Sequence, residues 1–199
     1  FGSWKTGEAH TWRKATSKPP TAAERAALRQ RMQAMQQARA VEQASVHSAA
    51  RERAQKLWSM ARPAHDGHPY LQRKKIQAIG VRQLRASLLI PLRDSVGVLH
   101  SLQFIGEDGS KRFLTGGRMA GCYFAIGVPV DSLLLCEGYA TAASLYRATG
   151  WACAVAFNCG NLLPVARALR QKFPRIRIVV CADNDIATPG NPGVTKATE

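Results

Sequence analysis

Three carboxylates with a distinctive spacing are the residues best suited to chemistry in this sequence. Glu137 follows the apolar run SLLLC, and Asp183 and Asp185 follow the run VVCA with only Asn184 between them. Like charges in one crevice repel each other unless a cation neutralises them. Oxygen-only ligands suit Mg²⁺ or Mn²⁺ rather than zinc, and such a metal can bridge a phosphate and stabilise charge during phosphoryl transfer.

The same spacing also fits a purely structural role. Glu137 and Asp185 would then cap the helices that follow their strands, because negative charge is favourable at a helix N-terminus. Spacing alone leaves both interpretations open. The choice between them depends on whether the strands that carry the acids are neighbours.

Those elements lie between residues 131 and 199. Segments typical of strands (SLLLCEG, ACAVAF and RIRIVVCADND) alternate with segments at helical spacing (YATAASLYRAT and GNLLPVARALRQKF), and a further helix begins at Gly193. This alternation predicts an α/β fold, with a parallel sheet covered by helices on both faces. Functional groups collect beyond the carboxyl ends of such strands. Glu137 is therefore expected beside Asp183 and Asp185 if the first and third strands are near neighbours.

Residues 62–130 have a different pattern and predict a small antiparallel β subdomain. The runs LLIPLRD, GVLHSLQFIG, KRFLTGG and GCYFAIG are short and β-like, and turn sequences such as DSVG and GEDGS separate them. We interpret the stretch 86–126 as an antiparallel meander of three or four strands.

The N-terminal part predicts a long helix over residues 21–61. Thr21 and Glu24 form a capping-box pattern, and no Gly or Pro interrupts the chain from there to Met60. We expect one long helix, or two with a break near residues 45–48, that projects as a basic, solvent-exposed element because it is polar all round. Residues 1–20, with Trp4 and Trp12, are typical of the tail of a small β element.

The charge distribution favours a polyanionic partner. The net charge is +15. Residues 1–85 hold 17 Lys and Arg against 5 Asp and Glu, whereas residues 86–199 hold 11 against 8. A basic arm of this kind suits DNA, RNA or an anionic membrane, and a merely solubilising basic surface is the alternative.

Several other classes are disfavoured by the sequence. No apolar run approaches the roughly 18–20 residues that span a bilayer, and we recognise no leader. Five cysteines without a C-x-x-C pair argue against a disulfide framework or a zinc site and favour a reducing cytoplasm. There is no G-x-G-x-x-G after a strand, and GNPGVTK is not a P-loop because Lys196 is followed by Ala197.

The acidic motifs resemble the Toprim domain, the metal-binding fold of bacterial-type primases, topoisomerases and some nucleases. Glu137-Gly138 matches its Glu-Gly after the first strand, and Asp183-Asn184-Asp185 matches its later Asp-x-Asp. HPYLQRKKI, the stretch from LLIPLRD to FLTGG, and the closing NPGVTKATE look like the Toprim primases of plasmids, integrative elements and P4-type phages. The resemblance covers roughly residues 62–199. It implies a Rossmann-like Toprim sheet at 131–199, preceded by a β-rich primase subdomain at 62–130.

The resemblance also implies roles for individual residues. Asp183 and Asp185 would bind Mg²⁺ (or Mn²⁺), and Glu137 would be a metal-associated or general acid/base carboxylate. In the same crevice, Gly138 would permit close backbone approach, and Gly160 and Asn161 would line the wall. Lys196 would face a phosphate. The sequence departs from the family pattern at Ala140 and Thr141, where many primases carry an acid, and this weakens the expectation of full polymerase activity.

The function implied by this resemblance is that of a DNA primase core, which joins ribonucleoside triphosphates on single-stranded DNA. The template would cross a basic surface that comprises Arg73, Lys74, Lys75, Lys111, Arg112 and Arg118. A helicase or another replication or conjugation protein is an expected partner. Two alternatives remain open: a Toprim nuclease that uses the same three acids, and a catalytically inactive nucleic-acid-binding module.

Overall fold

A computed structural model describes His10 and residues 21–199 of the chain. The β element predicted for residues 1–20, with Trp4 and Trp12, lies outside this described part. The helices are α1 (Ala22–Met60), α2 (Pro69–Lys74), α3 (Tyr139–Thr149), α4 (Leu162–Lys172) and α5 (Pro192–Thr198). The strands are β1 (Arg62–Pro63), β2 (Arg82–Leu84), β3 (Ser87–Arg93), β4 (Leu99–Gly106), β5 (Lys111–Phe113), β6 (Phe124–Ile126), β7 (Ser132–Cys136), β8 (Ala152–Val155) and β9 (Arg177–Cys181), with a 3₁₀ turn at Cys159–Asn161. None of the described helices is long and apolar enough to cross a membrane.

Helix α1 is one continuous helix of 39 residues, without the alternative break near 45–48. It begins at the predicted capping box, in which the Thr21 backbone N–H donates to Glu24 Oε2 at 2.7 Å and the Glu24 N–H donates to Thr21 Oγ1 at 3.2 Å. Residues 22–43 are all exposed, including the large apolar side chains of Leu28, Met32 and Met35. This first stretch belongs to a unit that ends at Gln43, and residues 44–199 form a second compact unit.

Within the second unit, the last turns of α1 pack on an antiparallel sheet with the strand order β1-β2-β3-β4-β5. Ala54 is fully buried and lies in one apolar cluster with Leu89 and Leu102 of the sheet. Arg82 of β2 also links the sheet to Trp58 of α1. Its guanidinium lies 4.7 Å from the centre of the Trp58 ring and donates a hydrogen bond to the Trp58 backbone carbonyl at 2.7 Å.

The opposite face of the antiparallel sheet is buried as well. Leu88, Ile90 and Leu92 of β3 belong to a second cluster that also contains α3 and the parallel strands. A strand covered on both faces is expected to be continuously apolar, and the sequence LLIPL of β3 has this property.

The second sheet has the order β6-β8-β7-β9, with β7 parallel to both β8 and β9. Alternate side chains of β7 face opposite ways: Leu134 packs with α3, whereas Leu135 packs with α4. The predicted parallel sheet with helices on both faces is therefore confirmed.

The assignment of GCYFAIG to the meander is wrong. This segment forms β6, which pairs antiparallel with β8 and is the edge strand of the second sheet. Only Tyr123, just before β6, bridges to Arg93 at the end of β3. The segment passes from one sheet to the other, and a short run of period-two hydrophobicity carries no information about which neighbour it joins.

Candidate metal centre

The topology places the three predicted acids at the carboxyl ends of two neighbouring strands. Glu137 directly follows Cys136, the last residue of β7, and Asp183 lies two residues beyond Cys181, the last residue of β9. Cys136 and Cys181 are paired in the parallel register. Because β7 and β9 are adjacent, the condition that the sequence left open is satisfied.

The two aspartates are positioned by a loop rather than by strand alternation. Residues 182–185 lie past the end of β9, so the alternation of side chains along a strand does not decide which way Asp183 and Asp185 point. Asn191 holds this loop instead. Its Oδ1 accepts a hydrogen bond from the Asp185 N–H at 2.9 Å, and its Nδ2 donates to Asn184 Oδ1 at 2.9 Å. Asn191 was missed as a site residue, although it stands in the quoted NPGVTKATE segment.

Glu137 has the electrostatic environment of a site that takes up a positive charge. Its Oε1 is buried and has no hydrogen-bond partner among the residues that the structure describes. Burial, followed by the negative charges of Asp183 and Asp185, raises the pKa of Glu137, and a backbone hydrogen bond from Asp183 acts in the opposite direction. A buried carboxylate oxygen without a donor is costly, and a cation or a proton at Oε1 would remove that cost.

Gly193 closes the crevice from the side of α5. A Cβ at this position would lie 2.2 Å from the backbone oxygen of Asp183 and 3.1 Å from Glu137 Oε1. Only a glycine lets the first turn of α5 approach both acidic segments so closely. Gly193 is a second residue whose role in the site the sequence did not reveal.

The described residues contain no group of three or more His, Cys, Asp or Glu side chains gathered closely enough to hold a metal ion by themselves. The three acidic side chains nevertheless fit Mg²⁺, because all are carboxylates and one buried oxygen lacks a partner within the described part of the chain. In proteins Mg²⁺ is usually held by one or two carboxylates, and waters and substrate phosphates complete its octahedron. A three-carboxylate ligand set stays a prediction.

Gly138 is the N-cap of α3 and has an ordinary φ of −114°. A Cβ there would meet only Thr141 Oγ1, at 3.6 Å, which is a normal contact. Neither backbone strain nor a neighbour within the described chain requires glycine at this position. The open space beside Gly138 favours its predicted role, the close approach of a bound group.

Asn161 is buried and its side chain is committed to the protein. Its Oδ1 accepts from the Gly121 N–H at 2.9 Å, and its Nδ2 donates to the carbonyls of Cys122 and Ala156 at 3.0 and 2.9 Å. These bonds tie the loop before β6 to the carboxyl end of β8. Both Nδ2 hydrogens are used in these bonds, so this amide group could donate to a bound group only by breaking one of them. The neighbouring Gly160 is exposed.

Lys196 is exposed on α5, and its Nζ lies 2.5 Å from Glu199 Oε1. An exposed ion pair of this kind is weak, typically below about 1 kcal/mol, so a phosphate could replace Glu199. The predicted phosphate contact of Lys196 stays a prediction.

The six basic residues predicted to bind the template lie in the second unit on three segments. Arg73, Lys74 and Lys75 end α2, Lys111 and Arg112 form part of the edge strand β5, and Arg118 lies in the loop that leads to β6. Arg73 approaches the β4–β5 turn, since a Cβ at Gly109 would lie 2.7 Å from its Nη2. The end of α2 and the β4–β5 hairpin are therefore neighbours.

Residues 132–199 match the model of the Toprim domain family. The chain carries a Toprim domain. It is 36% identical to a DNA primase TraC of Escherichia coli over an alignment of 207 residues that covers 98% of this chain. It is 39% identical to a second TraC primase of the same organism over an alignment of 171 residues that covers 80% of this chain. The resemblance to Toprim primases of the plasmid kind is confirmed.

The Toprim fold is also found in solved structures. The primase fragment of the bacteriophage T7 primase-helicase protein has a TM-score of 0.51 over 69% of this chain and 60% of that chain, with 14% identity. This likeness concerns the fold. The chain spans 19% and 12% of the lengths of the two TraC primases, so it corresponds to a small part of each.

Proposed function

We propose that this chain is the catalytic core of a DNA primase, which joins ribonucleotides into RNA primers on single-stranded DNA with Mg²⁺. The observation that carries the proposal is the position of Glu137, Asp183 and Asp185 at the carboxyl ends of the adjacent strands β7 and β9 in a Toprim domain. Similarity to one TraC primase over 98% of this chain supports the same reaction.

Each acid has a proposed role. Asp183 and Asp185 would hold Mg²⁺, and the metal would supply positive charge to offset that of the triphosphate. Glu137 either completes this site or accepts the proton of the attacking 3′-hydroxyl at Oε1, a task suited to a carboxyl group whose pKa is raised by burial. Asn191 and Gly193 fix the loop that carries the aspartates against Glu137. Catalysis is then mainly a matter of positioning and electrostatics.

The proposed substrates are a single-stranded DNA template and ribonucleoside triphosphates. The template crosses the end of α2 and the β4–β5 hairpin, where Arg73, Lys74, Lys75, Lys111 and Arg112 are exposed and Arg118 is half-buried. We further propose a setting in the cytoplasm, in replication or transfer of a mobile element. A helicase or conjugation protein would then act with this core, in the same chain or another.

Primer synthesis on a poly-pyrimidine template with labelled ATP or GTP tests the proposal. We expect wild-type protein to make Mg²⁺-dependent products, and Asp183→Asn and Glu137→Gln proteins to make at least 100-fold less, since removing one group that stabilises transition-state charge costs about 10²–10³ in rate. Asp131→Asn is the matched control. Asp131 is an exposed acid at the opposite, amino end of β7, so this protein should retain full activity.

Two other outcomes would refute the proposal in favour of the alternatives. Cleavage of circular single-stranded DNA with Mn²⁺ and without nucleotides would indicate a Toprim nuclease that uses the same acids. Salt-sensitive DNA binding that needs no divalent metal, without turnover of either kind, would indicate a binding module. The absence of an acid at Ala140 and Thr141 makes this second outcome worth a direct assay.

A further inference from the structure

A groove on the antiparallel sheet combines positive charge with apolar surface. It consists of two adjoining cavities of about 590 and 440 Å³, which share Met60, Leu84 and Arg85 in their walls. The end of α1, the β2–β3 turn and the strands β4 and β5 enclose it. We call it the arginine groove because its cationic residues are Arg53, Arg62, Arg85 and Arg112.

None of the described residues that line the two cavities is acidic. Among the residues that the structure describes, the four arginines form no ion pair within 4.0 Å. The Arg112 guanidinium instead lies over the Phe104 ring, 4.5 Å from its centre, which holds one planar face of the cation and leaves its N–H groups for an anion. Four unneutralised guanidinium groups around a concave surface attract a polyanion.

The backbone of Arg85 supports a role beyond the fold. Arg85 occupies the left-handed region at φ 54°, in the turn between β2 and β3. A non-glycine residue usually costs about 1 kcal/mol or more there, and a glycine or asparagine would close the same turn without that cost. The side chain of Arg85 is exposed and lines both cavities, so it is available to bind an anion there.

The floor of the groove is apolar. Leu57, Met60, Leu84 and Phe104 contribute to it, and Met60 is 60% exposed. A cationic rim above an apolar floor matches the two parts of a nucleotide, since phosphates bind guanidinium groups and bases stack on apolar or planar surfaces. A double helix keeps its bases within its own stack, so only a single strand can present them to this floor.

We propose that the arginine groove binds single-stranded nucleic acid. Three of its four arginines, Arg53, Arg62 and Arg85, lie outside the template surface proposed above, so the inference goes beyond the proposed function. Binding in the groove requires neither metal nor turnover. Phe113 connects the groove with the Toprim domain, because its ring centre lies 6.0 Å from that of Phe157, two residues past β8.

Fluorescence anisotropy with a labelled oligothymidylate, in EDTA, tests the groove without the metal centre. The informative protein carries Arg53→Gln and Arg85→Gln, and the matched control carries Arg167→Gln and Arg175→Gln. The control removes the same charge from two exposed arginines that lie on and after α4, away from the groove. Circular dichroism checks that both proteins are folded.

The expected losses follow from counterion release. Each phosphate contact to a single strand contributes a slope of about −0.7 in log K against log salt, or about 5-fold in affinity at 0.1 M salt. Loss of two contacts should weaken binding about 25-fold and reduce the salt slope by about 1.4. The control protein should bind within 2-fold of wild type.

Three results would overturn the proposal. Equal losses in the groove and control proteins would show a diffuse electrostatic effect of net charge. Equal binding of an abasic oligomer or polyphosphate would show a site for any polyanion, and equal binding of duplex DNA through the same arginines would exclude a single-strand site. Asp183→Asn protein should bind normally in EDTA. A failure of primer synthesis with groove binding intact would therefore contradict only the proposed function.

Discussion

Replacement of Gly193 by alanine is the sharpest test of how the metal centre is built. The new Cβ would lie 2.2 Å from the Asp183 carbonyl oxygen, whereas ordinary contacts of this kind begin near 3.4 Å. The difference, about 1.2 Å, must be taken up by a shift of α5, of the loop that carries Asp183, or of both, because the atom that it meets belongs to the backbone and cannot rotate away.

Two effects of different size are expected from this shift. Overpacking of a tight contact costs about 1–3 kcal/mol of stability, which leaves most of a protein of ordinary stability folded. A misplacement of about 1 Å in a catalytic group can lower the rate by 10²-fold. Primer synthesis should therefore fall about 100-fold in Gly193→Ala protein that remains folded at the assay temperature.

The assay pairs primer synthesis with thermal unfolding of the same preparations. Val194→Ala is the matched control, because Val194 is the next residue of α5 and is partly exposed, so its truncation disturbs the helix without adding an atom to the crevice. If Gly193→Ala protein unfolds like wild type and retains primer synthesis, the close approach of α5 to Asp183 and Glu137 does not shape the site, and our account of it is wrong.

Two further predictions concern the support of this site and of the antiparallel sheet. Tyr139→Phe should lower the free energy of unfolding by about 1–3 kcal/mol, because the Tyr139 hydroxyl accepts from the Ile79 N–H at 2.8 Å and donates to the Gln77 carbonyl at 2.9 Å. The control is Tyr146→Phe, which should change the free energy of unfolding by less than about 0.5 kcal/mol, since the Tyr146 hydroxyl makes no described hydrogen bond. Equal values for the two proteins in denaturant titrations would contradict this prediction. Asp94→Asn should flatten the acid limb of the stability profile. Burial raises the pKa of Asp94, but hydrogen bonds from His100, Val98 and Val96 outweigh this effect and leave the pKa lowered. The stabilisation by Asp94 is therefore present above its unfolded-state pKa near 3.8 and is lost as the pH falls through its folded-state pKa. If the slope of unfolding free energy against pH between pH 5 and pH 2 is the same in Asp94→Asn protein as in wild type, Asp94 does not contribute in this way.

Much of the fold could be predicted because its patterns are local. The capping box at Thr21 and Glu24 defines the start of α1, and the absence of Gly and Pro accounts for its continuity. Apolar strands alternating with helices predicted the parallel sheet. The partner of β6 could not be predicted, because period-two hydrophobicity is the same whichever sheet a short strand joins.

The candidate site was predictable only in its charged residues. Glu137, Asp183 and Asp185 stand out because acids rarely end apolar strands, and the strand order that makes them neighbours agrees with the sequence. The contributions of Asn191 and Gly193 depend on the return of α5 to the end of β9, which is a long-range property. A glycine in the first turn of a short helix gives no indication that its missing Cβ makes room for a carbonyl oxygen.

The antiparallel sheet relates the arginine groove to the metal centre. Its strand β3 sends Leu89 toward α1 and the groove side, and Leu88 and Ile90 toward the Toprim sheet. The groove and the Toprim domain thus lie on opposite faces of one sheet, and a nucleic-acid strand that used both would have to pass its edge. The edge strand is β5, where Arg112 lines the groove and Phe113 reaches Phe157 beyond β8. If a single strand follows this path, an oligonucleotide long enough to pass β5 should gain affinity both from the arginines of the groove and from Arg118. The affinity of a shorter oligonucleotide should depend either on the groove arginines or on Arg118, but not on both.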